Sequence, residues 1–135
     1  MIVGTGIDAV EIERIQQTVN RYGERFLKRV FTAGEQEYCL RKKSSAESFA
    51  GRFAAKEAGA KALGTGISRG VTWTEIEVVR ERSGRPTMKF HGRAAEIAAR
   101  LGVGNAALSL THTKLLAMAS VVLESRDEGM KGASN

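Results

Sequence analysis

The stretch SSAESFAGRFAAKEAGAKALG, residues 44–64, decides how the rest of the chain is read. Ser44 and Glu47 have capping-box spacing at its start, and Gly64 with Gly66 closes it, so the segment is expected to be one long helix. On a helical wheel Ala46, Phe49, Phe53, Ala60 and Gly64 share one arc, and Glu57 falls inside it. A carboxylate on an apolar stripe costs several kcal/mol unless it is paired or ligates a cation. Helical spacing by itself favours a plainer reading, in which Glu57 is an edge residue paired with Lys61 at i+4, worth a few tenths of a kcal/mol.

Working outward, Thr32-Ala-Gly-Glu35 has the same capping spacing and predicts a helix through about Arg41. Upstream, Ile12, Ile15, Val19, Tyr22 and Phe26 recur at helical spacing and predict one first helix. Ile2–Asp8 reads as a short strand, with Gly4 and Gly6 marking a place where another backbone comes close. Downstream, Thr74–Arg82 reads as a strand, Ser83-Gly84-Arg85-Pro86 as a turn, and Thr87–His91 as the antiparallel partner. Gly92–Leu101 reads as a small helix closed by Gly102, and Ala106–His112 and Leu115–Glu124 as two final strands. The elements show no βαβ alternation. The expected class is α+β: three helices plus a small helix packed on a short-stranded, mainly antiparallel sheet. Residues 1–124 are expected to form a single domain, with 125–135, polar and aperiodic, as a flexible C-terminal tail.

Of the 135 residues, 42% are apolar and 27% charged, as in an ordinary globular domain. No apolar run approaches the roughly 18–20 residues that cross a bilayer, so no membrane association is expected. The start lacks a basic region and meets acid at Asp8, and the lone Cys39 can form no internal disulfide. The expected address is therefore cytoplasmic. The net charge is +6, and residues 14–43 hold eight basic groups against three acidic ones. Arg14, Arg21 and Arg25 lie opposite the apolar positions of the first helix. Such a patch points to an anionic partner: nucleic acid, a phosphorylated small molecule or an acidic protein. Eight aromatics, no RNA-binding sheet motif and no helix-turn-helix pattern weigh against nucleic acid. An inert structural oligomer would leave Glu57 unexplained.

Zinc-ligand spacing, a nucleotide-binding P-loop and a G-x-S-x-G elbow are all lacking. What remains is a pair of carboxylates, Asp8 and Glu57. Magnesium is typically held by one or two carboxylates plus substrate phosphates and water. Arg52, Lys56 and Lys61 lie around Glu57 in sequence and offer cations for a diphosphate. That composition suits phosphoryl transfer, in which positioning and charge neutralisation do most of the catalysis. Alone, Asp8 reads first as a helix cap, His112 as a structural strand-end residue, His91 as a turn or strand-end residue, and Cys39 as a small core residue.

Gly6-Ile7-Asp8-Ala9-Val10-Glu11-Ile12 and Arg52-Phe53-Ala54-Ala55-Lys56-Glu57-Ala58, followed by Lys61, are similar to the two signature blocks of the 4'-phosphopantetheinyl transferases. Further blocks agree in order: Phe31-Thr32 with Glu35 and Tyr38-Cys39, Ser83-Gly84-Arg85-Pro86 with His91-Gly92-Arg93-Ala94, and Ser109-Leu110-Thr111-His112-Thr113. The likeness spans roughly residues 1–124, and the length resembles that of the small bacterial members. It implies transfer of the phosphopantetheine arm of coenzyme A to a serine of apo-acyl carrier protein in fatty acid biosynthesis, with release of adenosine 3',5'-bisphosphate. By the same likeness Asp8 and Glu57 would hold Mg²⁺, with Lys61 steadying the transferred phosphate or the leaving group. Arg52, Lys56 and His112 would contact coenzyme A. Arg14, Arg21 and Arg25 would meet the acyl carrier protein, and a homotrimer is implied. The proton acceptor stays open between Glu57 and a water at the metal.

Overall fold

A computed structural model describes residues 1–126. Its elements run β1 (Ile2–Glu11), α1 (Ile12–Tyr22), α2 (Glu24–Val30), α3 (Ala33–Leu40), α4 (Ser45–Leu63), a 3₁₀ turn (Trp73–Glu75), β2 (Ile76–Arg80), β3 (Pro86–Phe90), α5 (Gly92–Leu101), β4 (Val103–His112) and β5 (Leu116–Ser125). β1, β5 and β4 form a three-stranded antiparallel sheet with β5 in the centre, and β2 with β3 forms a separate hairpin. The class is α+β as expected, with five α-helices where four were anticipated.

The extra helix comes from Gly23. Its φ of +57° ends α1, and α2 restarts at Glu24, so the apolar positions from Ile12 to Phe26 belong to two helices. Strand β1 also runs past Asp8 to Glu11, because Ala9, Val10 and Glu11 find partners in Met118, Ala117 and Leu116. Ser125, placed by its polarity in the tail, is the last residue of β5 and donates to Met1 O at 2.8 Å. The rest of the expected tail, 127–135, lies outside the described residues.

The capping box of α3 forms as expected: Thr32 Oγ1 accepts from Glu35 N at 3.2 Å, and Glu35 Oε1 accepts from Thr32 N at 2.9 Å. Ser44, by contrast, makes no side-chain cap to α4, whose C-terminus closes on Gly64 in the left-handed conformation. α4 lies across β1 and β5. Ala117, Ala119, Val121 and Leu123 alternate inward along β5 and meet an alanine-lined helix surface that includes Ala50, Ala54, Ala58 and Ala62. A Cβ at Gly4 would run into the Ala62 carbonyl, and one at Gly6 into that of Ala58. Strand and helix therefore touch backbone to backbone, the close approach that the two glycines implied.

The other side of α4 is also covered. Phe49 packs on Phe31 with ring centroids 4.8 Å apart, and Phe53 stacks on Trp73 at 4.7 Å. α4 is thus buried nearly all round, and its least covered strip is Phe53, Glu57 and Lys61. The arc expected to face the core contains the buried Phe49 and Ala60, but Ala46, Phe53, Glu57 and Gly64 on it are partly or wholly exposed. Alanine is small enough to bury on any face, which blurs the wheel.

Candidate active site

Along β1, Asp8 follows Gly4 and Gly6 on the face turned to α4, so the close approach of the two backbones carries its carboxylate to the helix. There Lys61 Nζ donates to Asp8 Oδ1 at 3.1 Å and to Ile7 O at 3.0 Å. Asp8 is no helix cap: Glu11 occupies the cap position of α1. Lys61, for its part, directs its ammonium to β1. The Glu57 carboxyl titrates above its usual range, first because it is partly buried and then because the Asp8 charge faces it; Lys61 and Arg14 oppose the shift. The structure therefore brings Asp8, Glu57, Lys61 and Arg14 together.

A Glu57 carboxyl whose ionisation is disfavoured by burial and by the Asp8 charge, with a half-exposed lysine between helix and strand, makes a site that gains from a further cation. The hard oxygen donors of the two carboxylates suit Mg²⁺. Among the described residues no group of three or more His, Cys, Asp or Glu gathers as a metal set. A cation on Asp8 and Glu57 would complete its shell with substrate phosphate and water.

A second concave site, a cleft of about 240 Å³, opens between α3, α4, β2 and the end of β4. Tyr38, Arg52, Arg80 and His112 line it together with Glu47 and Ser48. Three cations surround the Tyr38 ring: Arg52 at 4.1 Å from its centroid, Lys42 at 4.7 Å and Arg80 at 5.0 Å. Burial pushes the Tyr38 phenol up, but hydrogen bonding to Lys42 and the charges of Arg80, Arg52 and Lys42 outweigh it and leave the group below its ordinary value. Arg52 is only 4% exposed, yet its buried Nε has no hydrogen-bond partner. An orphaned guanidinium nitrogen beside further cations suits a phosphate. Arg52 and His112 thus line the same cleft, whereas Tyr38 and Arg80 carried no chemical signal of their own in the sequence.

Lys56 is elsewhere. Its Nζ contacts Glu35 Oε1 at 2.6 Å and donates to Trp73 O at 3.1 Å and Ile76 O at 2.5 Å, with both side chains at 0% exposure. Burial lowers its pKa, and Glu35 opposes that shift. Every proton of the ammonium is committed inside the protein, so the expected contact with coenzyme phosphates is replaced by an internal ion pair. The arginines meet the expectation of exposure. Arg14 and Arg21 stand on α1 and Arg25 on α2, and Arg25 with Arg29 flanks a groove floored by Tyr22 and Phe26.

A family model described as the 4'-phosphopantetheinyl transferase superfamily matches residues 4–117. A holo-[acyl-carrier-protein] synthase of Koribacter versatilis is 56% identical over 124 residues, spanning 92% of this chain and 99% of that protein. Among solved structures, the holo-[acyl-carrier-protein] synthase of Neisseria meningitidis superposes with a TM-score of 0.83 at 33% identity, over 93% of this chain and all of that one. The Helicobacter pylori protein of the same name, solved with coenzyme A, superposes at 0.78 with 32% identity, over 89% of this chain and 99% of that one.

Proposed function

The chain belongs to the 4'-phosphopantetheinyl transferase superfamily, and from that premise we propose that it moves the 4'-phosphopantetheine arm of coenzyme A onto a serine of apo-acyl carrier protein. The products are holo-acyl carrier protein and adenosine 3',5'-bisphosphate, and the role is in fatty acid biosynthesis in the cytoplasm. The observation that carries this reading is the facing pair Asp8 and Glu57, with Lys61 beside them. The pair is a site for Mg²⁺, which when bound neutralises charge on the diphosphate and on the departing oxygen.

In this reading the serine oxygen forms a bond to the phosphorus that carries pantetheine, and the bond from that phosphorus to the adenosine bisphosphate oxygen breaks. Glu57, held above the usual carboxylate range, accepts the serine proton. Lys61, half-exposed and tied to β1 by Asp8 and Ile7 O, steadies the oxygen that departs. Arg52, with its unpaired Nε, and His112 hold coenzyme phosphate in the cleft beside Tyr38. Arg14, Arg21 and Arg25 meet the acidic carrier protein, and the exposed Ile7 on the outer face of β1 suits association of copies into a homotrimer. No described helix is long and apolar enough to cross a bilayer.

Incubation with coenzyme A, Mg²⁺ and apo-acyl carrier protein tests the reading. A phosphopantetheine mass gain on the carrier is expected, and no gain with a competent carrier overturns it.

A further inference from the structure

Glu35 and Lys56 have no place in the chemistry just described, yet they form the most completely bonded polar pair in the interior. Glu35 accepts from Thr32 N at 2.9 Å, Val78 N at 2.7 Å and Lys56 Nζ at 2.6 Å. Lys56 also donates to Trp73 O and Ile76 O. The pair thereby ties three elements at one point: α3 through Glu35, α4 through Lys56, and the start of β2 through Ile76 and Val78. A buried ion pair by itself is often replaceable by apolar side chains, but this one also takes up two backbone amides and two carbonyls, so it fixes direction as well as supplying stability.

The same three elements build the Tyr38 cleft, and each does so one step further along the same face. Tyr38 follows Glu35 by three residues on α3, and Arg52 precedes Lys56 by four on α4. Arg80 shares a face of β2 with Ile76, whose side chain lies against Gly59 of α4. A shift of any of these elements at the pair would therefore move one wall of the cleft. The rings and cations at stake are closely set, with Arg52 and Arg80 at 4.1 and 5.0 Å from one ring.

We propose that Glu35 and Lys56 are a positioning pair: without touching substrate, they fix the spacing of Tyr38, Arg52 and Arg80 and so set the affinity of the cleft for the phosphates of coenzyme A. This inference rests on the coenzyme reading above and assigns it two residues outside the site. An apolar pair of similar volume would hold the elements together but would not dictate their register, because dispersion contacts lack the direction of five short polar ones.

The test is calorimetric titration of adenosine 3',5'-bisphosphate into the unaltered protein and into the double variant Glu35→Leu with Lys56→Met, alongside thermal unfolding. The double variant, which leaves the Thr32 and Val78 amides without their carboxylate, is expected to fold but melt lower than the unaltered protein, while its Kd rises roughly tenfold or more. In turnover, KM for coenzyme A should rise far more than kcat falls. The weakening should largely vanish when Arg52→Ala is already present, since the pair acts through that side chain. A folded double variant with unchanged Kd overturns the proposal. If the double variant does not fold, Glu35→Gln carries the test, and unchanged affinity in that folded protein overturns it equally. Failure of both to fold would show that the pair serves the fold and nothing finer, which also overturns it. Absence of bisphosphate binding to the unaltered protein would instead reject the coenzyme reading, and this inference with it.

Discussion

Two lysines five residues apart on α4 make opposite uses of the same charge. Lys56 is sealed, with its counter-ion Glu35 and two carbonyls taking all its protons and neither side chain exposed at all. Lys61 is 51% exposed and meets an Asp8 that is 18% exposed, at 3.1 Å. The first pair is fully satisfied and has nothing left to offer a ligand. The second is loosely held, next to a Glu57 whose ionisation is already disfavoured, and in the proposed reaction it exchanges its partners for substrate. Burial with complete bonding makes a charge structural, and partial burial with unmet demand makes it chemical.

The contrast breaks most visibly if one member of the sealed pair is removed. Lys56→Met alone strands a buried carboxylate and should cost about 3–5 kcal/mol, read as a lower urea midpoint. A loss under 1 kcal/mol would mean that the sealed pair is no different from the open one.

Next in size is the effect of Glu57→Gln on turnover, expected to fall at least ~100-fold, in the range of a positioned proton acceptor. Its stability effect should have the opposite sign. A carboxyl raised in the folded state contributes stability at low pH and loses it as pH rises through its folded value. At neutral pH without metal, Glu57→Gln should therefore melt higher than the unaltered protein, and the gap should close on acidification. Equal melting temperatures across that range would remove the like-charge strain from the picture.

Lys61→Ala sharpens the other half of the comparison. Its half-exposed pair with Asp8 should contribute under about 1 kcal/mol to stability, while kcat should fall much more than KM for coenzyme A rises. A rise in KM alone would make Lys61 a ground-state contact.

The smallest effect lies at the surface. Changing Arg14 and Arg21 together to Glu should raise KM for acyl carrier protein, leave KM for coenzyme A alone and barely move the melting temperature, and added salt should mimic the first effect. Normal use of the carrier at low salt by the double variant would reduce the stripe to ordinary surface charge.

Much of this was legible in the residues because it is local. The capping box at Thr32, the left-handed stop at Gly64 and the helix closed by Gly102 all depend on neighbours in sequence, and Gly4 and Gly6 mark a close approach without naming its partner, which is α4. The departures depend on distant partners. Lys56 looks like a solvated flank of α4 until Glu35 arrives from α3, and periodicity carries no trace of that meeting. β1 outruns its apparent end because β5 pairs with it from the far end of the chain. Asp8 and Glu57 could be suspected together from their chemistry, but Tyr38 and Arg80 join Arg52 only through packing.

The placement of β5 has a consequence for the timing of synthesis. Its position between β1 and β4 makes it the sheet neighbour of the strand that carries Asp8. Among the described strands β1 leaves the ribosome first and β5, ending at Ser125, last. The carboxylate at position 8 therefore acquires its native hydrogen-bonded support only when translation of the described residues is nearly done, and an incomplete chain presents β1 as an unpaired edge. The setting of Asp8 is thus completed late, once β5 has been made, so fragments abandoned before it lack the sheet that holds Asp8 against α4.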